Sequence, residues 1–192
     1  GDGVSLPPTA DADGPYVGVA GVPVTFDGTA SDDPAGMIAH YDWAFGDGNT
    51  AIDAERCYRM LDMTLPRPDT APWDAIGWPP RIHLLLFVHR VEGLAPGLYL
   101  LLRDPAAEST VKTAIGRELD WQPVPDAPPH LPLFQLLTAD AREAAQALCC
   151  HQEIAADGAF SLGMLAEYSD TLAGAPWRYR ELFWEAGMIG QV

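Results

Sequence analysis

Residues 81–103 read RIHLLLFVHRVEGLAPGLYLLLR, and this stretch decides the fold. Two nearly continuous apolar runs, 82–91 and 97–103, are separated by a short segment that contains glycine and proline. Apolar runs of this length, bounded by turn residues, are typical of strands that are buried on both faces of a sheet. We therefore predict two adjacent core strands in this part of the chain.

The segments around these two strands have helical or strand-like patterns. Before them, four apolar residues are spaced for one buried face of a helix with Asp53 in its first turn: Ile52, Tyr58, Leu61 and Leu65. After them, we predict a short helix at 109–119, strands at 131–138 and 160–167, a longer helix at 140–156 and a final helix at 177–192. The pattern predicts that the chain stops inside this last helix.

The N-terminal quarter of the chain has a different character. Residues 1–14 are mostly small or acidic and include two prolines, which favours a flexible lead. Residues 17–26 and 38–45 predict short strands, and the residues between them are typical of turns. This pattern indicates a small β-sandwich segment, which ends near Asp47.

Composition excludes several classes of partner. The 192 residues are 48% hydrophobic, so the chain has material for a core, and its formal net charge is -16. Such a charge disfavours nucleic acids and anionic membranes, and no apolar run approaches the length of a membrane span. The three cysteines do not form a disulfide framework, since two of them are adjacent. We therefore expect no nucleic-acid or membrane partner, and a cytoplasmic location.

The sequence contains no convincing metal site. Cys149, Cys150 and His151 lack a second ligand cluster and point in different directions on one helical turn, so we expect a structural role. His83 and His89 lie six residues apart in one predicted strand and therefore face the same side. We interpret them as core histidines rather than as metal ligands. The acidic residues of the N-terminal segment are predicted to hold turns rather than calcium: Asp27, Asp32, Asp33 and Asp47.

Residues 14–48 closely resemble the first half of a PKD domain. The order and spacing of a dozen positions agree with that family, including the segments Val24-Thr25-Phe26-Asp27-Gly28 and Phe45-Gly46-Asp47-Gly48. The second half of the family pattern is absent after Thr50. We therefore assign residues 1–14 to the flexible lead and 15–48 to a partial PKD-like segment, which would suggest an extracellular setting.

From about residue 47 onward the chain resembles the nitroreductase superfamily, and within it the SagB-type or thiazole-forming dehydrogenases. Two motifs are the strongest evidence: Val-Glu-Gly-Leu-x-Pro-Gly-Leu-Tyr at 91–99 and Glu-Ala-Gly-x-Ile-Gly-Gln at 185–191. The resemblance implies an α+β fold with a mixed sheet flanked by helices, incomplete here, and covers residues 49–192. It also implies an FMN-dependent oxidoreductase that forms a homodimer and receives a hydride from a nicotinamide or a substrate.

The resemblance further suggests which residues contact the flavin. Arg81 lies in the place of the family's flavin-contacting loop, and Gly187, Gly190 and Gln191 match a helix that packs at the dimer interface near the cofactor. No single catalytic residue is implied. The same helix carries apolar residues that would meet a partner subunit: Trp177, Leu182, Phe183, Met188 and Ile189.

One departure from the family pattern affects the expected function. Where relatives have an arginine-rich segment that binds the FMN phosphate, this chain has Tyr41-Asp42-Trp43-Ala44, and a phosphate needs cations or amide donors. We therefore expect impaired flavin binding. Two alternatives stay open: a noncatalytic PKD-type surface or adhesion module, and a chimera, or fusion, without an evolved function.

Overall fold

The computed structural model describes Ser31, residues 51–116 and residues 118–192, without the side chain of Asp170. The chain divides into two units, Gly1–Ala44 and Phe45–Val192. The predicted flexible lead and PKD-like segment lie outside the described residues apart from Ser31. Every other described residue belongs to the second unit.

The second unit contains seven strands and six α-helices in its described part. In chain order they are β1 (Ile52–Asp53), α1 (Ala54–Met63), β2 (Ile82–Val88), β3 (Val91–Glu92), β4 (Gly97–Leu101), α2 (Glu108–Ile115), β5 (Gln122–Pro123), β6 (Leu133–Thr138), α3 (Arg142–Leu148), α4 (Ile154–Asp157), β7 (Phe160–Ala166), α5 (Tyr168–Leu172) and α6 (Tyr179–Ile189). Short 3-10 turns precede α2 and α6. The fold is α+β, as predicted.

The main sheet has five strands in the order β5-β6-β4-β2-β7, and every pair in it is antiparallel. The two core strands predicted from residues 81–103 are β2 and β4, and they pair directly. The predicted run continued to residue 91, but β2 ends at Val88. The chain then turns, and β3 pairs in parallel with β1 in a separate small sheet. Within the described residues, the parallel pairing therefore lies in this separate small sheet and not in the main sheet.

Helices cover both faces of the main sheet. Leu84, Leu86 and Val88 of β2 pack in the same cluster as Tyr58 and Leu61 of α1. The alternate β2 residues Leu85 and Phe87 point to the other face, where Val111 of α2 and Ala145 of α3 lie. The central strand is thus buried on both sides, which explains why its sequence does not alternate.

Helix α1 begins as the sequence predicts. Asp53 is its N-cap, and the Asp53 carboxylate accepts a hydrogen bond of 2.7 Å from the backbone N–H of Arg56. Tyr58 and Leu61 are buried, as is Cys57. Ile52 is not helical, because it pairs with Val91 in the small sheet.

Two glycines of the 91–99 motif are required by the backbone. Gly93 has a φ of 92°, a conformation that other residues rarely adopt. A Cβ atom at Gly97 would lie 2.1 Å from the carbonyl oxygen of Leu137 on the neighbouring strand β6. Tyr99 is buried, and its hydroxyl donates a hydrogen bond of 2.8 Å to the carbonyl oxygen of Ala95. This motif therefore builds the turn between β3 and β4.

The single helix predicted for 140–156 is wrong, because the structure divides this region into α3 and α4. Cys150 and His151 have φ values of 56° and 60°, which interrupt a right-handed helix. The N–H of His151 donates to the carbonyl oxygen of Gln146 at 2.8 Å, closing α3. The last helix also differs from prediction, since α6 ends at Ile189 before the end of the chain.

Across the described ranges, no helix has both the length and the apolar character needed to span a membrane.

Candidate functional site

A buried carboxylate, Glu185 of α6, fixes the beginning of the central strand. Its oxygens accept hydrogen bonds from the backbone N–H of Arg81, at 3.0 and 3.2 Å, and from that of Ile82, at 3.2 Å. The Glu185 side chain is wholly buried. The loop that precedes β2 is therefore held against α6 by charge-assisted hydrogen bonds.

Arg103 supplies the positive charge that balances Glu185. Its Nη1 donates to a Glu185 oxygen and, at 2.9 Å, to the carbonyl oxygen of Ile82, while its Nε donates to the carbonyl oxygen of Thr64 at 2.7 Å. The guanidinium also lies over the ring of Trp73, 4.9 Å from its centroid. Burial lowers the pKa of Arg103, and the Glu185 carboxylate opposes that shift. Because an arginine in a protein stays protonated, this is a fully buried ion pair.

On the other side of the strand, His83 connects β2 to the beginning of α5. Its Nδ1 accepts a hydrogen bond of 3.2 Å from the backbone N–H of Arg103, so its Nε2 carries the proton and donates to Glu167 at 3.1 Å. Burial lowers the pKa of His83, and the neighbouring Glu167 carboxylate partly opposes the effect. His83 is therefore a neutral, buried hydrogen-bond donor at neutral pH.

Helix α6 presents aromatic side chains to the exterior. With the segments next to it, it forms a surface that we call the aromatic face, made of Tyr168, Trp177, Tyr179, Phe183 and Trp184, each at least 47% exposed. The rings contact one another: Tyr179 lies 4.8 Å from Phe183 and 6.0 Å from Tyr168, measured between centroids. Exposed aromatic patches of this kind mark binding surfaces.

Two arginines lie among these rings. The guanidinium of Arg180 is 5.6 Å from the ring centroids of both Trp177 and Trp184, and that of Arg178 is 5.5 Å from the centroid of Trp177. The Arg178 Nε is buried and has no hydrogen-bond partner among the described residues. In a chain with 27 acidic and 11 basic residues, this is a local concentration of positive charge.

The connector before β2 adds a further aromatic wall. The ring of Trp78 lies 6.3 Å from that of Trp184, measured between centroids. Trp78 also lines a cleft of about 380 Å³ that includes Arg67, Trp73 and Pro80. The aromatic face and this cleft therefore adjoin at Trp78.

The four residues predicted to contact a flavin lie on different sides of α6. Gly187 and Gly190 are on the exposed side with Phe183 and Trp184, and a Cβ atom at Gly187 would meet no atom within 4 Å. Gln191 is exposed just beyond the end of the helix. Arg81 instead meets the buried side of α6, through its backbone N–H and Glu185.

No group of three or more His, Cys, Asp or Glu side chains that could hold a metal occurs within 51–116 and 118–192. Cys149 and Cys150 lie at the turn that ends α3, and neither forms a disulfide. His83 and His89 both hydrogen-bond within the fold, His89 through its Nε2 to the carbonyl oxygen of Ala155 at 2.9 Å. These histidines are therefore core residues.

Comparisons with known proteins agree with the two resemblances seen in the sequence. A family model described as "PKD domain" matches residues 5–59. A search of curated proteins gave no match. A solved structure of a candidate nitroreductase from Anabaena variabilis matches with a TM-score of 0.51 and 20% identity, over 77% of this chain.

That structural match defines the class of fold, which is nitroreductase-like. At 20% identity the likeness concerns the fold alone. This chain spans only 26% of the matched chain. The resemblance to nitroreductases is thus confirmed for the architecture, and the PKD resemblance predicted for residues 14–48 lies within the matched residues 5–59.

Sequence reasoning missed the roles of Arg103, Arg178 and Arg180, and the part played by Glu185. For Arg103 and Glu185 the sequence did contain a signal. Arg103 directly follows the apolar run of β4, and Glu185 lies on the apolar side of α6. Charges at core positions are expected to be paired. The alternation of aromatic and basic residues in 177–180 was the signal for Arg178 and Arg180.

Proposed function

We propose that this chain carries an FMN-dependent oxidoreductase domain of the nitroreductase superfamily, of the SagB or thiazole-forming dehydrogenase type. The observation that carries the proposal is the aromatic face with its two arginines, which lies beside Gly187, Gly190 and Gln191 on a nitroreductase-like fold. The two sequence motifs favour the SagB-type branch. Ligand sites are built on such scaffolds from a few side chains rather than from the fold as a whole.

The exposed residues fit the chemistry of a flavin mononucleotide. Trp177, Phe183 and Trp184 offer aromatic surfaces for a flat tricyclic ring, and the guanidinium groups of Arg178 and Arg180 offer charge for a phosphate. The bare backbone at Gly187 lets a ring approach the helix closely.

When bound, FMN supplies the redox chemistry by accepting and passing on a hydride. The residues of this chain bind and orient it. Trp184 and Phe183 would exclude water from one side of the ring, and Arg180 would hold the anionic group. The ion pair of Glu185 and Arg103 would keep the loop that contains Trp78 against α6. Trp78 and Trp184 would then keep their positions relative to each other.

We further propose that the chain forms a homodimer through α6. The aromatic face exposes five large aromatic side chains, and each large apolar side chain contributes about 1.5 to 3 kcal/mol when it is fully buried. A second α6 offers the same surface, as a twofold interface requires. A flavin held between two copies would contact the aromatic face of each.

The experiment is to add FMN to the purified chain and follow reduction of the flavin by NADH or NADPH without oxygen. We expect reduction faster than that of free FMN, and a loss of the difference in Trp184→Ala. Leu148→Ala, at an exposed position of α3, is the matched control and should behave as the wild type. Equal rates with and without protein would refute the proposal.

The match to the PKD family model over residues 5–59 favours a second candidate function. In this alternative the PKD-like part supplies a noncatalytic surface or adhesion module, or the chain is a fusion without evolved function. The two proposals differ in the rate of FMN reduction. The alternative predicts that neither the wild type nor Trp184→Ala changes this rate.

A further inference from the structure

A second cleft lies on the sheet face opposite to α6, and Tyr168 at its rim is the one residue it shares with the aromatic face. It has a volume of about 270 Å³, between α2 on one side and the end of β7 and beginning of α5 on the other. This is slightly below the usual size of drug-binding pockets and suits a ligand with one ring or a short chain. Its apolar walls come from Val111, Ala114, Ile115 and Leu165.

One carboxylate provides the charge of this cleft. Glu167 lines it with a side chain that is 24% exposed, and its Oε1 accepts the Nε2 proton of the buried His83. His83 holds that oxygen in place, because its own Nδ1 is fixed by the backbone N–H of Arg103. The second oxygen, Oε2, has no hydrogen-bond partner among the residues that the structure describes.

Among the described residues that line the cleft, none is a cation that would neutralise this carboxylate. Besides His83, which is neutral, the uncharged polar residues of the wall are Thr110, Tyr168 and Ser169. Arg103 touches His83 only through its backbone, and its guanidinium is paired with Glu185. The cleft therefore combines apolar walls with one fixed, uncompensated negative charge.

We propose that this cleft binds a small organic ammonium ion, a primary amine with an apolar body. The ammonium group donates to the free oxygen of Glu167, and the apolar part contacts Val111, Ile115 and Leu165. Thr110 and Ser169 also line the cleft, and their hydroxyl groups are acceptors for the remaining ammonium protons. This site is independent of the proposed flavin chemistry, and its test needs no FMN.

The test uses benzylamine as the probe, titrated into the full chain and followed by calorimetry and by NMR shifts of the cleft residues. Benzyl alcohol has the same ring without the charge, and benzoate has the opposite charge. We expect benzylamine to bind best and benzoate not at all. Glu167→Gln keeps an acceptor for His83 but removes the charge, and should weaken benzylamine binding on the order of tenfold.

Two further variants separate the cleft from the general acidity of the chain. Glu143→Gln removes an exposed carboxylate of α3 and should leave the affinity unchanged. Ala114→Phe narrows the cleft while Glu167 is kept, and should weaken benzylamine and benzyl alcohol alike, even if Glu167→Gln fails to fold. The proposal is overturned if benzylamine does not bind, if benzoate binds equally well, or if neither cleft variant changes the affinity.

Discussion

At the scale of single residues, Gly97 provides the sharpest test of the fold. A Cβ atom there would lie 2.1 Å from the Leu137 carbonyl oxygen, so Gly97→Ala must separate β4 from β6. We expect a loss of about 3 kcal/mol or more of unfolding free energy, measured by urea denaturation. Gly187→Ala is the matched control, since it meets open space in a helix and should stabilise by about 0.5 to 1 kcal/mol.

The buried ion pair predicts a large effect of removing one partner. Glu185→Ala leaves Arg103 buried and unpaired and also frees the backbone N–H groups of Arg81 and Ile82. We expect a loss of about 3 to 5 kcal/mol in unfolding free energy. The exposed pair of Arg59 and Glu55 is the control.

Both side chains of that control pair are at least 75% exposed, so Arg59→Ala should cost no more than about 0.5 kcal/mol. A double variant, Arg103→Met with Glu185→Leu, should recover much of the stability lost in Glu185→Ala, because no unpaired charge is left buried. Equal losses in Glu185→Ala and Arg59→Ala would contradict the description of this pair.

The histidines predict how stability depends on pH. Burial lowers the pKa of His83 and of His89 below 6.5, so the unfolded chain binds protons more readily than the folded chain. Stability is therefore greatest above pH 6.5 and falls as the pH drops from 6.5 toward the lower folded pKa values. Urea denaturation between about pH 8 and about pH 5 checks this.

The variant His83→Gln should flatten part of that pH dependence, since one of the two buried imidazoles is then absent. Asp62, whose pKa lies below 3.8 because of its bonds to Arg67 and His130, affects stability only at more acidic pH and does not interfere. A wild-type stability that stays constant across the window would show that neither histidine is held neutral.

At the scale of elements, the sequence predicted the strands better than the helix boundaries. Strands β2 and β4 were predictable because a short, continuous apolar run bounded by turn residues fits few structures other than a strand in the centre of a sheet. The break between α3 and α4 was not, since Cys150 and His151 adopt positive φ without the glycine that usually marks it. The end of α3 is decided by tertiary packing, and the helix propensities of the local residues do not contain that information.

Helix α6 shows the same limit for a binding surface. The sequence marked Leu182, Phe183 and Ile189 as apolar, but it could not assign each to the core or to the exterior. In the structure Leu182 and Ile189 are buried, while Phe183 is 60% exposed. The assignment depends on which side of the helix meets the sheet, and Glu185 fixes that side through β2.

The exposed side of α6 leads to a prediction about assembly. Phe183→Asp should reduce self-association, because a carboxylate buried at the interface would be unpaired. Light scattering and sedimentation of the wild type and the variant measure the effect. Leu148→Asp, at a position of α3 that is 71% exposed, is the control and should not change it. A wild-type chain that stays monomeric at high concentration would contradict the proposed dimer.

At the scale of the whole molecule, the chain joins a segment that matches a PKD family model to a nitroreductase-like fold. Both parts could be anticipated from sequence motifs, whose spacing is specific. The candidate site could be anticipated only in part, since Gly187, Gly190 and Gln191 were predicted to contact the flavin whereas Arg180 and Trp184 were not. Their juxtaposition depends on helical spacing and on ring contacts that only the folded chain displays.

The central claim is that the aromatic face with Arg178 and Arg180 binds FMN. Because the usual phosphate-binding arginines are replaced around Asp42, we expect the purified chain to be colourless and its affinity for added FMN to be modest. The most direct measurement is therefore a titration of the chain with FMN and with riboflavin, followed by quenching of flavin fluorescence. We predict saturable FMN binding that is tighter than riboflavin binding and is weakened in Arg180→Ala and Trp184→Ala but not in Leu148→Ala. Absence of saturable binding, or equal affinity for FMN in all these variants, would contradict the account.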